Sequence, residues 1–487
     1  MTIMQPPESG VRVRMYRTGV GDCLLLAFRK RDGGPFYLLI DCGIHSQWRG
    51  GSDKIRKVVE HIRDSTNNHL DVVVVTHEHG DHVSGFYVAK DIFQHMTSID
   101  QVWFGWTEDP ENELAQRLDR HRSLMMNALR AARRTLAAND PVAQNVNHLL
   151  GFFEVPASGG LSISSRDARD AIRDLGKEAR YLKPKVRPLT LPEVEGVRIF
   201  VLGPAEDEGW LMRARPSREP GEVYEDESEQ AFHLSSDDAL SYALMAAADE
   251  PLDPEGTAKL ERAQPFAGNQ RVAEDIVRAN KELYRFFHDH YGFRARDSEA
   301  WRRIETNWIN PADSLALKLD SATNNTSLVL AFELQESKRV LLFPGDAQVG
   351  NWKSWHEGGW DEHNGLRPGE TIIAKDLLER TVLYKVGHHG SHNATLRRQG
   401  LEMMRSPELA AMIPVHEEWA HKRRPYPWKM PFHPLYEDLQ VRTQGRILRS
   451  DLGRVVPERP SSAWQRFKDC SRVEDLYVEL DVPDSTS

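Results

Sequence analysis

Apolar and polar positions along the first hundred residues predict strands and helices in turn. Short apolar runs at 22–29, 36–40 and 70–75 are typical of buried strands. Residues 11–17 alternate apolar and polar side chains, which favours an edge or half-exposed strand. Residues 54–63 repeat apolar side chains at helical spacing. The pattern therefore predicts an α/β arrangement.

The middle of the chain is different, because helical spacing and arginines dominate from residue 111 to about 139. An acidic segment with Pro and Gly, 206–236, is typical of an exposed loop. Strands are predicted again at 314–319, 327–334 and 339–343. These patterns predict one α/β domain made of residues 11–110, 190–205 and 310–455, a mostly helical insertion at 111–189 and 206–309, and a C-terminal tail with strands at 456–487.

Composition narrows the class of protein. The chain has 487 residues, 40% hydrophobic and 28% charged, as in an ordinary soluble protein of two or three domains or of one domain with large insertions. We expect no membrane partner, since no apolar run approaches the roughly 18 residues of a spanning helix. Residues 1–10 do not resemble a secretory signal, and 3 cysteines fit a reducing cytoplasm. The net charge of −10 disfavours attraction of the whole molecule to nucleic acid but leaves a local basic groove open.

The strongest chemical signal is Thr76-His77-Glu78-His79-Gly80-Asp81-His82, which follows a buried strand. His77 and His79 are two residues apart, so an extended segment projects them to the same side. Asp81 and His82 lie where the chain turns and can face a second ion about 3.5–4 Å away. Imidazole suits zinc, iron or manganese, and the carboxylate favours the harder ions. A loop of solvated histidines is the alternative, which so dense a set of ligands disfavours.

This H-x-H-x-D-H pattern resembles the signature of the metallo-β-lactamase-fold superfamily. Further segments resemble its other motifs: Ile40-Asp41-Cys42-Gly43, Phe343-Pro344-Gly345-Asp346-Ala347 and Tyr384-Lys385-Val386-Gly387-His388-His389-Gly390-Ser391. The chain is most similar to the hydrolase domain of competence (DNA-uptake channel) proteins and their soluble relatives. That likeness rests on Val20-Gly21-Asp22-Cys23, Asn325-Thr326-Ser327-Leu328-Val329-Leu330, Gly345-Asp346-Ala347 and His388-His389-Gly390-Ser391, with Phe432-His433-Pro434 as a further similar segment. It covers roughly residues 11–105, 195–205 and 310–455.

The resemblance implies a four-layer αββα sandwich that binds two divalent ions, zinc or manganese. It assigns His77 and His79 to the first ion, and Asp81, His82 and His388 to the second, with Asp346 bridging. Asp81 and His389 are the expected catalytic residues, His389 as a proton donor or a contact to substrate phosphate. The expected supporting or substrate-contacting residues are Asp22, Asp41, Asn325, Ser391 and His433.

The sequence departs from the superfamily pattern at one expected ligand of the first ion. Many members of the superfamily supply a further histidine from the middle of the chain, but Gly203-Pro204 stands in the matching region. His121, His148 and His233 are candidate replacements, and Asn324 or Asn325 is the other option. A weaker first site or a one-metal form therefore stays open.

The resemblance favours a metal-dependent phosphodiesterase or nuclease whose substrate is a nucleic acid or nucleotide. Two alternatives stay open: a carboxylic ester or thioester hydrolase, and a subunit of a larger assembly whose insertion binds a protein, a nucleic acid or a second copy of the chain. The segment 421–428 combines cations with Tyr426 and Trp428, and suits either a surface for phosphates and bases or an exposed loop packed on the domain. His45 is predicted to be a surface histidine.

The insertion interrupts the sandwich after the ligand loop, so we predict that it forms a cap over the metals or a docking surface. Deleting 206–236 should then change hydrolysis of a long substrate and spare a small chromogenic diester. The measurement is the ratio of the two rates in a folded variant. Equal effects on both substrates would count against either role.

Overall fold

The structure is a computed structural model that describes residues 3–135, 141–155, 163–213, 222–224, 241–242, 244–245, 250–263, 274–291, 311–423 and 427–485. Its chain divides into two compact units. The first unit comprises Met1–Gln116, Gly151–Glu229 and Asp320–Ser487, and the second comprises Arg117–Leu150 and Gln230–Leu319.

An eight-stranded sheet forms one half of the first unit, in the order β18-β19-β1-β2-β3-β4-β5-β8. The neighbours from β3 to β8 are parallel, and the others are antiparallel. Its strands are β1 (Val11–Tyr16), β2 (Leu24–Arg29), β3 (Pro35–Ile40), β4 (His69–Val74), β5 (Ser98–Gly105), β8 (Glu178–Leu182), β18 (Ser471–Val473) and β19 (Tyr477–Val482).

A seven-stranded sheet forms the other half, in the order β17-β16-β15-β14-β11-β10-β9. Strands β11, β14, β15 and β16 run parallel to one another. Its strands are β9 (Val197–Gly203), β10 (Val329–Leu334), β11 (Val340–Phe343), β14 (Thr381–Lys385), β15 (Ala410–Ile413), β16 (Ile447–Arg449) and β17 (Gly453–Arg454). Two small hairpins are β6 (Glu154–Val155) with β7 (Ile163–Ser164) and β12 (Gly359–Trp360) with β13 (Ile372–Ile373).

The sheets pack face to face and helices cover their outer faces, which makes the four-layer αββα sandwich that the sequence predicts. One core joins apolar side chains of both sheets, including Phe28 and Phe332. Two outer cores join each sheet to its helices, for example through Val58 and Leu377. The α-helices are α1 (Gly51–Ser65), α2 (Gly80–Val88), α3 (Lys90–Gln94), α4 (Glu113–Thr135), α5 (Pro141–Leu150), α6 (Ser165–Arg173), α7 (Glu208–Leu211), α8 (Pro254–Ala263), α9 (Glu274–Ala279), α10 (Lys281–Tyr291), α11 (Pro311–Asn325), α12 (Val349–Ser354), α13 (Ala374–Glu379), α14 (Glu417–His421), α15 (His433–Thr443) and α16 (Ser462–Cys470).

The expectation that β1 is an edge or half-exposed strand is wrong. The C-terminal strand β19 pairs with it, so β1 lies inside the sheet. The alternating arginines of β1 suggested that one face of the strand is exposed to solvent. They form ion pairs instead: Arg14 lies 2.7 Å from the carboxylate of Glu479, and Arg12 lies 2.6 Å from that of Asp481. The tail at 456–487 thus completes the first sheet.

The strand predicted at 314–319 is also wrong, because these residues belong to helix α11. The sequence SLALKL has leucine at every second position, as a half-buried strand would, yet Leu317 is 51% exposed. Leu315, Ala316 and Leu319 are buried, and this spacing of three and four residues is that of a helix.

The insertion boundaries of the sequence analysis differ from the observed units. Strand β8 lies within the predicted insertion range 111–189 but belongs to the first sheet. The second unit contains most of α4 and all of α5, α8, α9 and α10. In the part of the chain that the structure describes, no helix is both long and apolar enough to cross a membrane.

The core between the sheets generates a stability prediction. Phe332 is fully buried and its ring lies 5.9 Å from that of Phe28 and 5.6 Å from that of Phe343. Phe332→Ala should therefore lower the free energy of unfolding by about 3–5 kcal/mol, measured by urea denaturation. Val441→Ala, at a position 75% exposed, is the control and should change it by about 0.5 kcal/mol at most. A loss below about 1 kcal/mol in Phe332→Ala would contradict this packing.

Candidate metal centre

The loop between β4 and α2 carries the histidine motif and is anchored by Asp41. Asp41 follows β3, which is parallel to β4, so the ends of the two strands are adjacent. Its carboxylate accepts hydrogen bonds from the Thr76 backbone N–H at 2.8 Å and from the Thr76 hydroxyl at 2.6 Å. It also lies 2.7 Å from Nδ1 of His82. One buried carboxylate thus orients both ends of the loop.

The backbone at Gly43, after β3, packs closely against the backbone of the histidine loop at Asp81. A Cβ at Gly43 would lie 2.1 Å from the carbonyl carbon of Asp81, so only glycine fits there. The Asp22 N–H donates to the carbonyl oxygen of Asp81 at 2.9 Å, and the Gly43 N–H donates to that of Asp22 at 2.9 Å. These contacts fix the first turn of α2, from which the Asp81 and His82 side chains project.

Four buried residues from both sheets converge at this point: Asp81, His82, Asp346 and His389. One ligand atom of each lies within 4.8 Å of the others. His389 Nε2 is 2.9 Å from Oδ2 of Asp81, and His82 Nε2 is 3.2 Å from Oδ2 of Asp346. Two carboxylates and two imidazoles are a donor set that suits zinc, manganese or iron.

The hydrogen bonds on the far side of each imidazole show which nitrogen faces the cluster. His389 Nδ1 lies 2.6 Å from the carbonyl oxygen of Pro414, which can only accept, so Nδ1 carries a proton. His82 Nδ1 likewise donates to Asp41. In the neutral form of each ring, the lone pair of Nε2 therefore points at a carboxylate oxygen. The nitrogen and the oxygen are both hydrogen-bond acceptors, so a proton or a cation must lie between them, and a divalent ion fits that requirement.

Lys385 holds two carboxylates in place, Asp22 of the first sheet's side and Asp346 of the second. This buried lysine donates to Oδ1 of Asp346 at 3.2 Å and to the carbonyl oxygen of Gly345 at 2.9 Å, and it forms an ion pair with Asp22. No role for Lys385 was predicted from the sequence, although a lysine inside the apolar run TVLYKV indicates a buried partner of opposite charge.

Charge in the cluster shifts the titration of its members. Burial lowers the pKa of His82, but Asp346 and Asp22 raise it well above its ordinary value overall. Burial also lowers the pKa of His389, and the hydrogen bond with Asp81 raises it above its usual value overall. Burial raises the pKa of Asp346, yet His82 and Lys385 bring it well below its usual range. A divalent ion would therefore displace protons from these histidines on binding.

His77 and His79 form a second group beside the first. His77 Nε2 lies 3.0 Å from Nδ1 of His79, and the His77 ring centroid is 4.2 Å from that of His82. Burial lowers the pKa of His79 to about 3, so its ring is neutral and able to bind a metal at neutral pH. Asp320, which the sequence analysis did not single out, lies 3.7 Å from Nε2 of His79. Burial, with the charges of Asp81 and Asp346, raises the pKa of Asp320 to about 8.

A comparison with known protein families agrees with this geometry. Residues 17–170 match the family model described as the metallo-beta-lactamase superfamily. Residues 17–170 thus carry a metallo-beta-lactamase superfamily domain. No curated protein matches the chain. Proteins of this superfamily are in general metal-dependent hydrolases, and the His/Asp cluster indicates a metal-dependent hydrolase here as well.

The structure places the two histidines after β14 differently from the expectation. His389, and not His388, brings its ring to Asp81. His388 instead donates its backbone N–H to Oδ1 of Asp346 at 2.9 Å, and its Nδ1 lies 3.4 Å from the Gln348 amide nitrogen. The left-handed backbone at both histidines, with φ of 43° and 54°, turns the two rings apart.

Asn325, Ser391 and His433, which were expected to support the site or contact substrate, make contacts outside the His/Asp cluster. The Asn325 side-chain amide donates to the carbonyl oxygens of Leu211 and Arg213, and so joins backbone segments. The Ser391 hydroxyl donates to Asn393, and the His433 side chain, 79% exposed, faces Glu437 at 3.4 Å. Of the candidates for the missing histidine, His121 and His148 belong to the second unit, and His233 lies outside the described residues.

An aromatic wall, defined as His45, Phe152, Trp419 and Trp428, extends from the His79 ring. The Phe152 ring is 5.5 Å from that of His79 and stacks on Trp428 at 5.2 Å. Trp419 follows, and the Arg423 guanidinium lies 3.8 Å from its ring centroid. His45 is buried between Phe152 and Trp428, so the expectation of a surface histidine is wrong. Residues 424–426 lie outside the described residues.

The imidazole nitrogens of His82 and His389 face the carboxylate oxygens of Asp346 and Asp81. This arrangement predicts that a bound divalent ion stabilises the fold. Removing metal with a chelator should lower the melting temperature, and adding Mn²⁺ or Zn²⁺ should restore it. An ion present at about 100 times its Kd adds about 2.7 kcal/mol to the free energy of unfolding. Calorimetry measures the shift, and Asp346→Asn should reduce it because a ligand is lost. Identical melting curves with and without metal would refute the site.

Proposed function

We propose that this protein is a cytoplasmic two-metal phosphodiesterase or nuclease, related to the soluble branch of the competence-protein hydrolases. The observation that carries the proposal is the pair of histidine–carboxylate contacts, His82 with Asp346 and His389 with Asp81. Each joins a ligand of the first sheet to one of the second. A structural ion pair would not need four such groups at one point.

The residues divide between two ions, zinc or manganese. Asp81, His82 and His389 would hold one ion, with Asp346 shared, and His77 and His79 would bind the other. When bound, such ions lower the pKa of a water molecule toward neutrality and offset charge on the leaving oxygen. We assign His389 as a ligand in place of His388, because its Nδ1 proton is donated to Pro414 and its Nε2 faces Asp81.

Three groups of this chain prepare the ligands. Lys385 keeps Asp346 ionised and turns one of its oxygens toward His82. Asp41 fixes the tautomer and orientation of His82, as a buried carboxylate does for a metal-binding imidazole. The Pro414 carbonyl does the same for His389. This scaffold holds the reacting groups in position before a substrate enters.

The aromatic wall supports a phosphodiester over a carboxylic ester or thioester. Trp419 and Trp428 are half-buried, so part of each indole ring is exposed and can contact a nucleobase. Arg423, whose guanidinium lies over Trp419, matches the charge of a phosphate. A nucleotide or single-stranded nucleic acid presents both groups, whereas simple esters present neither.

The second unit is proposed to bind a partner. Its arginine-bearing helix α4 and the helices α8 to α10 would form a docking region for a protein, a nucleic acid or a second copy of the chain. A stoichiometric partner recovered with the full-length chain, and lost from a variant altered in this unit, would support that role.

The proposed activity predicts a substrate preference. The protein loaded with Mn²⁺ or Zn²⁺ should hydrolyse bis-(p-nitrophenyl) phosphate and leave p-nitrophenyl acetate almost unchanged. Asp346→Asn should reduce turnover by about a thousand-fold, since losing a ligand removes several kcal/mol of transition-state stabilisation. Release of p-nitrophenol measures both reactions.

The matched control is Asp91→Asn, which removes a surface carboxylate that pairs with Arg56 at 2.7 Å. It should keep wild-type turnover. Faster hydrolysis of the acetate than of the diester would favour the ester hydrolase, and full activity in folded Asp346→Asn would exclude the proposed centre.

A further inference from the structure

The two ring nitrogens of His79 face different groups. Nδ1 of His79 lies 3.0 Å from Nε2 of His77. Nε2, on the opposite side of the ring, lies 3.7 Å from Oδ1 of Asp320, a residue of helix α11. Only one nitrogen of a neutral imidazole carries a proton, so these two contacts decide which nitrogen of His79 can bind a metal ion.

The position of the proton on His77 follows from its neighbours Thr76 and Asp41. The Thr76 hydroxyl donates its proton to Oδ2 of Asp41 at 2.6 Å, so the hydroxyl oxygen accepts from Nδ1 of His77 at 3.1 Å. In the neutral ring, Nε2 of His77 therefore bears a lone pair. This lone pair faces Nδ1 of His79.

Asp320 directs one carboxylate oxygen at His79. Asn324, four residues later on the same helix face, donates its side-chain amide to Oδ2 of Asp320 at 3.2 Å. Oδ1 of Asp320 and Nε2 of His79 are both buried, and neither has a hydrogen-bond partner among the described residues. Their separation exceeds a hydrogen bond by about 0.5 Å, which a small rotation about the soft terminal torsion of either side chain closes.

We propose that Asp320 is a positioning residue that accepts a hydrogen bond from Nε2–H of His79 and so leaves the Nδ1 lone pair for the first metal ion. This inference rests on the two-metal function proposed above and deepens it. The lone pairs of His77 Nε2 and His79 Nδ1 then face each other and need a cation between them. Asp320 contacts the ring on the side away from that cation, so it is not a ligand of the ion.

Two carboxylates thus support the first pair of histidines. Asp41 acts on His77 through the Thr76 hydroxyl, and Asp320 acts on His79 directly. A carboxylate that accepts the proton of the far ring nitrogen fixes the orientation of the ring and raises the basicity of the coordinating nitrogen. The charge of a bound ion in turn favours the ionised form of Asp320. Asp320 therefore raises the affinity of the first site without adding a ligand to it.

The test compares wild type with two variants of similar size. Asp320→Leu removes the acceptor. Asp320→Asn removes the charge but keeps an oxygen for His79, because Oδ1 of Asn324 has no partner among the described residues and can accept from the new amide group. Zn²⁺ affinity is measured by calorimetry against a competing chelator, and the first site is identified as the one lost in His77→Ala.

Asp320→Leu should weaken Zn²⁺ binding at the first site by about 10–100-fold, and Asp320→Asn should weaken it less. Both variants should still bind about two equivalents at saturating metal, because no ligand is lost. Asp91→Asn, which changes a surface carboxylate paired with Arg56, is the control and should bind as wild type does.

A spectroscopic readout separates positioning from packing. In the protein loaded with Co²⁺, the ring N–H of each coordinated histidine gives a shifted proton resonance, and a hydrogen bond to a buried oxygen slows its exchange with water. The resonance of His79 is identified by its loss in His79→Gln. It should be present in wild type and in Asp320→Asn, and absent from Asp320→Leu.

The outcomes distinguish this inference from the function on which it rests. Wild-type affinity and an unchanged His79 resonance in folded Asp320→Leu would overturn the role of Asp320 and leave the two-metal function intact. Loss of one equivalent from both Asp320 variants at saturating metal would make Asp320 a ligand and overturn the positioning role. Equal losses of affinity in both variants would overturn the acceptor role in favour of charge alone. Absence of bound metal in wild type would instead overturn the proposed function itself.

Discussion

Buried carboxylates that require positive charge are the constraint on which the rest of the structure depends. Asp22, Asp81 and Asp346 have almost no exposure to water. Asp81 and Asp346 belong to one cluster, and Asp22 and Asp346 both contact Lys385. Two like charges about 4 Å apart repel by about 4 kcal/mol at an effective dielectric constant near 20. The buried Lys385 offsets part of this repulsion. The histidines and the ions they bind would offset the remainder, so folding and metal binding are linked at this point.

The parallel pairing of strands places the carboxylates and histidines of the site at one edge of each sheet. β3 and β4 are parallel, so Asp41 and the histidine loop leave the first sheet at the same edge. In the second sheet β11, β14 and β15 are parallel, and the segments that follow them carry Asp346, His389 and Pro414. Because the carboxyl ends of parallel strands lie at one edge, ligands distant in sequence become neighbours. The shared apolar core of the two sheets holds the edges in register.

Helix α11 links the architecture to the chemistry. It begins in the second unit and ends in the first, where Asp320 and Asn324 lie. Its buried face contains apolar residues along most of its length and polar residues in the last turns.

The sequence by itself determined the motifs and the sandwich, because the histidine loop follows an apolar strand and short-range patterns encode such local order. It could not determine whether His388 or His389 faces the metals, since that choice depends on a left-handed turn and on the Pro414 carbonyl, 25 residues away. The alternate leucines at 314–319 imitate the period of two residues of a strand, so part of α11 was predicted as a strand and Asp320 was missed. Lys385, the aromatic wall and the pairing of β19 with β1 likewise depend on contacts between distant segments. Only tertiary structure decides these, because a buried charge or an exposed edge is defined by the partner that packs against it.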